Sequence, residues 1–241
     1  MNDLSSTEME TPPAEEQVEA TVDALPTEPG DVEFSSDLVL LSQRGSLAAE
    51  NVSLLVSEIL SRHVQSSRRG LAFCSTSAGS GCTYLAANVA VGMAMAGVRT
   101  LLIDANFRDP SLDKYIVTDD QRAGLLDCIT QPETSLQDAV CENVMPNLSV
   151  LFAGGQSTEA GHFASNEARA VFSEALRSYE CTIVDTAPAN RSSDAIRVAN
   201  MVRYAMVIAR KDHTYLNDMK KLIADVRQNK GEVLGTYLNE F

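Results

Sequence analysis

Between residues 46 and 63 the apolar residues Val52, Leu55, Val56 and Ile59 recur three and four apart, the spacing of one buried helix face. A polar, basic connector over 65–69 follows, and then a short apolar run at 72–74 that predicts a buried strand. Small residues lead into a second helical stripe, Leu85, Ala86, Val89, Ala90 and Met93, which Gly97 stops. The run 100–103 is apolar without alternation and ends on Asp104, as a strand covered on both faces would. Short helices are expected around 124–129 and 135–140, a strand at 148–152 and a polar loop over 156–165. Three helix–strand pairs complete the chain. Val171, Phe172, Ala175 and Leu176 precede strand 182–185, a helix around 195–200 precedes strand 204–208, and an amphipathic helix with Tyr215, Met219, Leu222, Ile223 and Val226 precedes strand 233–238. Strands alternating with helices predict an α/β fold with a mostly parallel, doubly wound sheet.

Charge separates off the N-terminus. Residues 1–37 hold eleven acidic and no basic residues, so they carry −11 of the net −14 and leave −3 on the remainder. Four of the eight prolines also fall there, and few large apolar residues do. The expectation is a disordered acidic tail over 1–37 and one globular domain over 38–241. An acidic balance argues against nucleic acid. No apolar run reaches the ~18–20 residues of a membrane span and no signal peptide is legible, so a cytoplasmic protein is expected. The five cysteines form no C-x-x-C pair, which suits reduced thiols, with Cys74 and Cys181 in the core. His63, His162 and His213 share no metal-ligand spacing and are expected at the surface or at helix ends.

The chemistry gathers on LAFCSTSAGSGCTYLAANVA, residues 71–90, which reads as strand, small-residue loop and helix start. Such a loop offers backbone N–H groups and a helix N-terminus to phosphate. Gly79 and Gly81 allow close approach, and Ser80, Cys82, Thr83 and Tyr84 complete the candidate nucleotide contacts. The full pattern G-x-x-x-x-G-K-[ST] needs lysine between Gly81 and Thr83, where this chain has Cys82. In a parallel sheet Asp104 and Asp185 would end strands beside this loop. Thr83 would then supply a hydroxyl to Mg²⁺, Asp185 would hold the ion through water, and Asp104 would orient the attacking group or a second metal water. Asn239, ending the last strand, is a candidate for an adenine edge or a plain turn residue.

On STSAGSGCTYLAANVA, LLIDANFRDPSL, NLSVLFAGG, CTIVDTAP followed by SSDA, and VLGTYLNEF, the chain from about residue 37 onward resembles the bacterial tyrosine kinases of capsule and exopolysaccharide synthesis. These sit in a larger group of P-loop ATPases with the partition and division-site ATPases, and Arg108, Pro110, Ser111 and Leu112 are the most specific link to the kinases. The resemblance implies a regulator of exopolysaccharide, capsule or holdfast synthesis. Its partner would be a membrane polysaccharide co-polymerase at the inner membrane, and a homo-oligomer would be in keeping. The departures fall on chemistry: Cys82 stands for the lysine and Asn106 for a second aspartate. Of a Glu-x-x-Arg-x-x-Arg packing pattern only Glu50 remains, with Ser53 and Val56 at the arginine positions, and no tyrosine cluster follows Phe241. The expectation is a catalytically degraded member in which ATP or ADP and Mg²⁺ binding is weak or lost. The rivals are an active autokinase, with Arg108, Arg191, Arg210 or Lys211 as substitute cation, and a partition-type positioning ATPase. A reactive Cys82 is a further, minor reading.

Overall fold

The computed structural model describes residues 32–119 and 123–240. Its centre is a seven-stranded sheet in the order β5-β6-β3-β7-β2-β8-β9. The strands are β2 (Gly70–Ser75), β3 (Thr100–Ala105), β5 (Cys141–Met145), β6 (Leu148–Leu151), β7 (Cys181–Thr186), β8 (Tyr204–Arg210) and β9 (Glu232–Asn239). All neighbours pair in parallel except β5, which runs antiparallel to β6 at one edge. Sequence periodicity missed β5, whose pattern of burial is irregular.

Helices cover both faces, which is why the central strands are apolar throughout rather than alternating. Leu71, Phe73, Leu102, Ile183, Met206 and Ile208 point to one side, where α1 (Val39–Ser42), α2 (Leu47–Arg62) and α3 (Cys82–Met95) pack. Ala72, Cys74, Leu101, Ile103, Val184, Ala205 and Val207 point to the other. There they meet α4 (Leu125–Thr130), α5 (Leu136–Ala139), α6 (Asn166–Ser178), α7 (Asp194–Val202) and α8 (Leu216–Gln228). Strand side chains alternate in direction, so odd and even positions of β2 feed different cores. α2 begins at Ser46, whose side chain accepts the Ala49 N–H.

One expectation is corrected and two are sharpened. The boundary at residue 37 lies too late, because Val32–Phe34 form β1, antiparallel to β4 (Ile116–Thr118). The acidic-tail expectation for 1–31 lies outside the described residues. His63 does end a helix, but it is buried: its Nε2 lies 3.0 Å from the Gly70 carbonyl and its ring meets Tyr204 edge-on. Burial, assisted by the nearby Arg68 charge, lowers its pKa to about 4 despite the Gly70 hydrogen bond. Cys74 and Cys181 are buried, as expected, and Cys82, Cys128 and Cys141 are buried as well, all as free thiols.

Asn88 fastens the N-terminal segment to α3. Its Oδ1 accepts the Val39 N–H at 2.9 Å, and its Nδ2 donates to the carbonyls of Asp37 and Tyr84, each at 3.0 Å. Asn88→Ala strands these buried groups, so we expect a loss of about 2–4 kcal/mol, read as a lower midpoint in urea at unchanged slope. Close by, a Cβ on Gly92 would meet Val56 Cγ2 at 2.5 Å, so α2 and α3 touch where no larger residue fits.

Candidate functional site

The β2–α3 loop sets the geometry. Gly79 and Gly81 have φ of 75° and 81°, a conformation L side chains avoid, and α3 begins at Cys82 directly after the second. Among the described residues, no hydrogen bond takes up the N–H groups of Gly79, Ser80 or Gly81. The loop lines a cavity of about 220 Å³ with Thr83, Tyr84, Asn106, Ser111, Lys114, Tyr115 and Arg191. That is smaller than the ~300–1,000 Å³ of a whole-ligand pocket, so it suits phosphates more than an entire nucleotide. A wider groove of about 970 Å³ between α2 and β9 mixes apolar and charged side chains; Asn239 lines it, and it shares Tyr84 with the loop cavity.

Asp104 and Asp185 are direct register partners on β3 and β7. Both share the parity of Leu102 and Ile183, and therefore face α3. Asp185 Oδ2 accepts the Thr83 hydroxyl at 2.6 Å, whereas its Oδ1 is buried without a partner. Thr83 also lies 3.2 Å from the Ser111 hydroxyl. Asp104 is more fully occupied: Oδ1 accepts the Asn106 N–H and Oδ2 those of Ser111 and Leu112, at 2.9–3.2 Å. It therefore straps down the turn that follows β3. Burial raises both carboxyls, Asp104 to about 6 and Asp185 to about 7, and for Asp185 the neighbouring Asp104 charge adds to the effect. A buried acidic pair with one open oxygen, next to a hydroxyl, fits a divalent cation. Among the described residues no group of three His, Cys, Asp or Glu side chains has metal-binding geometry. An ion here would therefore lean on Thr83, Asp185, water and phosphate, which is the habit of Mg²⁺.

Cys82 turns inward beside Asp185. Burial first, and the Asp185 charge next, push its thiol well above the ordinary value, the opposite of what a reactive thiolate needs. Asn106 donates from Nδ2 to the Asp109 carbonyl at 2.8 Å and accepts the Asp109 N–H, a pairing an aspartate could not make. Of the substitute cations considered from sequence, Arg191 lines the cavity. Arg108 donates to the Thr158 carbonyl, and Lys211 pairs with Glu240 at 3.6 Å. Arg210 donates to the Gly79 carbonyl at 3.1 Å. Asn239 is buried and donates one Nδ2 hydrogen to the Ser80 carbonyl at 2.8 Å. Lys114 and His213 were missed as loop neighbours; His213 Nε2 lies 2.9 Å from the Ala78 carbonyl, 135 residues away in sequence.

A parallel sheet with this loop at the C-terminal end of β2, one acid on the adjacent β7 and the other on β3 one strand further, has the P-loop NTPase-like fold. The septum site-determining protein MinD of Pyrococcus horikoshii OT3, solved with Mg-ADP, shares it at a TM-score of 0.59 and 21% identity, over 71% of this chain and 70% of that one. The chimerical protein CapA2B2 superposes at a TM-score of 0.75 and 23% identity, over 88% of this chain and 92% of that one. No family model matches the chain. It is 29% identical over 206 residues to the putative tyrosine-protein kinase CapB of Staphylococcus aureus, covering 85% of this chain and 90% of that protein. It is also 26% identical over 162 residues to the putative tyrosine-protein kinase EpsB of Ralstonia solanacearum, covering 67% of this chain but only 21% of that much longer protein. The homologues of this chain are thus bacterial tyrosine kinases of the CapB, EpsB and CpsD type.

Proposed function

We propose that this chain is a kinase-like P-loop regulator of exopolysaccharide, capsule or holdfast synthesis and export, docked on the cytoplasmic face of a membrane polysaccharide co-polymerase and weakened in catalysis. The observation that carries the reading is Cys82: the helix position expected to supply a cation holds a buried, neutral thiol, while the nest, Thr83 and Asp185 remain in place. Mg²⁺, when bound, neutralises charge that develops on the phosphates. The chain's own residues then divide the remaining work. N–H groups at Gly79, Ser80 and Gly81 would hold phosphate oxygens, Thr83 and Asp185 would hold the ion, and Asp104 would keep the adjoining turn in register. Losing one charged hydrogen bond weakens binding by about 1.5–3 kcal/mol. Turnover suffers more, because phosphoryl transfer depends on positioned charge at the transition state.

Ser53 and Val56 support a departure from ring packing of the kinase type. Ser53 bonds back to the Ala49 carbonyl, and Val56 is buried against α3, so neither offers the surface cation that the pattern would need. Among the described residues no helix is long and apolar enough to cross a membrane, and this reading assigns inner-membrane recruitment to the partner.

A second reading, an active autokinase, is favoured by one observation: Lys114 and Arg191 line the phosphate cavity. Titration with Mg-ADP and Mg-ATP, beside a labelled-ATP assay, separates the two. Binding without transfer supports the regulator. Transfer that vanishes in Asp185→Ala establishes the enzyme. Deleting the gene should lower surface polysaccharide, and unchanged polysaccharide removes the assignment to that pathway.

A further inference from the structure

Three consecutive carbonyls of the loop, at Ala78, Gly79 and Ser80, each receive a side-chain donor from the same flank of the sheet. His213 Nε2 lies 2.9 Å from Ala78 O, Arg210 Nη1 is 3.1 Å from Gly79 O, and Asn239 Nδ2 is 2.8 Å from Ser80 O. The preceding carbonyl, Ser77 O, accepts the Ser80 hydroxyl at 2.8 Å and the Ser75 hydroxyl at 3.3 Å. Arg210 and His213 belong to the end of β8 and the turn before α8, and Asn239 to the end of β9, 131 to 159 residues from their partners.

A trans peptide points its C=O and the next residue's N–H in opposite directions. Fixing carbonyls 78, 79 and 80 against β8 and β9 therefore turns the N–H groups of Gly79, Ser80 and Gly81 toward the cavity, and these are the donors with no partner among the described residues. With glycine at two of the three positions the loop has little stiffness of its own, since glycine ranges widely in φ. Order has to be imposed from outside. In a loop with lysine, a cation within the cavity would also help to gather phosphate; here Cys82 contributes none.

We propose that Asn239, Arg210 and His213 are positioning residues that act as a clamp, holding the loop's N–H groups in an anion-binding array before any ligand arrives. The anion class is a terminal phosphate or diphosphate. The inference rests on the phosphate-binding reading of the same loop, but its first test does not require that a nucleotide bind. Asn239 is the strongest member because it is buried, while Arg210 and His213 act at the exposed rim.

The test uses ¹⁵N relaxation of the Gly79, Ser80 and Gly81 amides in the unliganded full chain, for wild type, Asn239→Ala and the exposed double variant Arg210→Ala/His213→Ala. The wild-type amides should be as rigid as the sheet, and each variant should loosen these three while leaving α3 and β2 unchanged. Amides equally rigid in wild type and in both variants would overturn the clamp, as would wild-type amides that are already mobile. If Asn239→Ala unfolds, the double variant still decides. Calorimetric titration with Mg-ADP and with pyrophosphate then reads the consequence, an expected tenfold loss of affinity in Asn239→Ala and about threefold in the double variant, with Arg210→Lys near wild type. A rigid wild-type loop that loosens in the variants yet binds neither probe keeps the clamp and removes the nucleotide reading. Binding that is the same in all variants removes the clamp's role in recognition.

Discussion

Exchanging Cys82 for lysine raises the affinity for Mg-ATP by about ten- to a hundredfold and brings phosphoryl transfer up to a measurable level. The estimate follows from one regained hydrogen bond to a charged group, about 1.5–3 kcal/mol. The backbone array needs no rebuilding, because Gly79 and Gly81 already hold the conformation and the N–H groups are open. An ammonium beside Asp185 would also favour that carboxylate's charged form, which is the form that binds Mg²⁺. Cys82→Ala is the control: a thiol turned inward gives nothing to a phosphate, so affinity should stay within about twofold of wild type. Titration calorimetry and labelled ATP read both effects. A lysine variant indistinguishable from wild type would show that the loop cannot recruit phosphate even with its cation restored.

The second large effect is a reversal of pH dependence by Mg²⁺. Asp104 and Asp185 have folded pKa values raised to about 6 and about 7. A raised carboxyl stabilises the fold fully below its unfolded value of about 4, and that contribution is lost as pH rises through the folded value. The pair therefore makes the unliganded protein progressively less stable between about pH 4 and pH 7. His63 pulls the other way, since its folded pKa is lowered to about 4 and its contribution is lost as pH falls from about 6.5. Comparing wild type with Asp185→Asn cancels the histidine. At pH 8 the asparagine variant should be the more stable without metal, on the order of 2 kcal/mol or roughly 4–8 °C. Millimolar Mg²⁺ should stabilise wild type at pH 8 more than at pH 5 and leave the variant nearly unmoved. Thermal melts across pH with and without Mg²⁺ decide it; equal Mg²⁺ response in both proteins would remove Asp185 from the ion's coordination.

Much of this architecture was readable in advance because its signals are local. The uninterrupted apolar run before Asp104, the stripe from Leu85 to Met93 and the stop at Gly97 each identify an element without knowledge of the rest. The convergence of Asp104 and Asp185 was also accessible, since strand parity and a parallel sheet place both at one edge. What escaped was whatever depends on distant partners. Asp104 accepts three backbone N–H groups of the turn after β3, a strapping role no sequence pattern announces. Asn239 donates to the Ser80 carbonyl 159 residues away, a contact no local pattern announces. Val32–Phe34 sits in an acidic stretch, and its strand exists only because β4 lies beside it. Nor does any periodicity announce His213 at Ala78, where the contact is made by a turn.

The pairing of Asp104 with Asp185 across β3 and β7 has a consequence for how this chain can change over time. Side chains in a strand alternate with period two, so loss or gain of one residue within 100–104 or 181–185 would send a carboxylate through the sheet into the opposite core. Position 82 is under no such register constraint: it sits on the first turn of a helix whose packing is also secured by Leu85, Val89 and Gly92 further along. The two kinds of error thus have unequal fates. A substitution at position 82 changes the charge offered to phosphate and leaves the sheet in register, whereas a one-residue change in strand length would move a carboxylate out of the site.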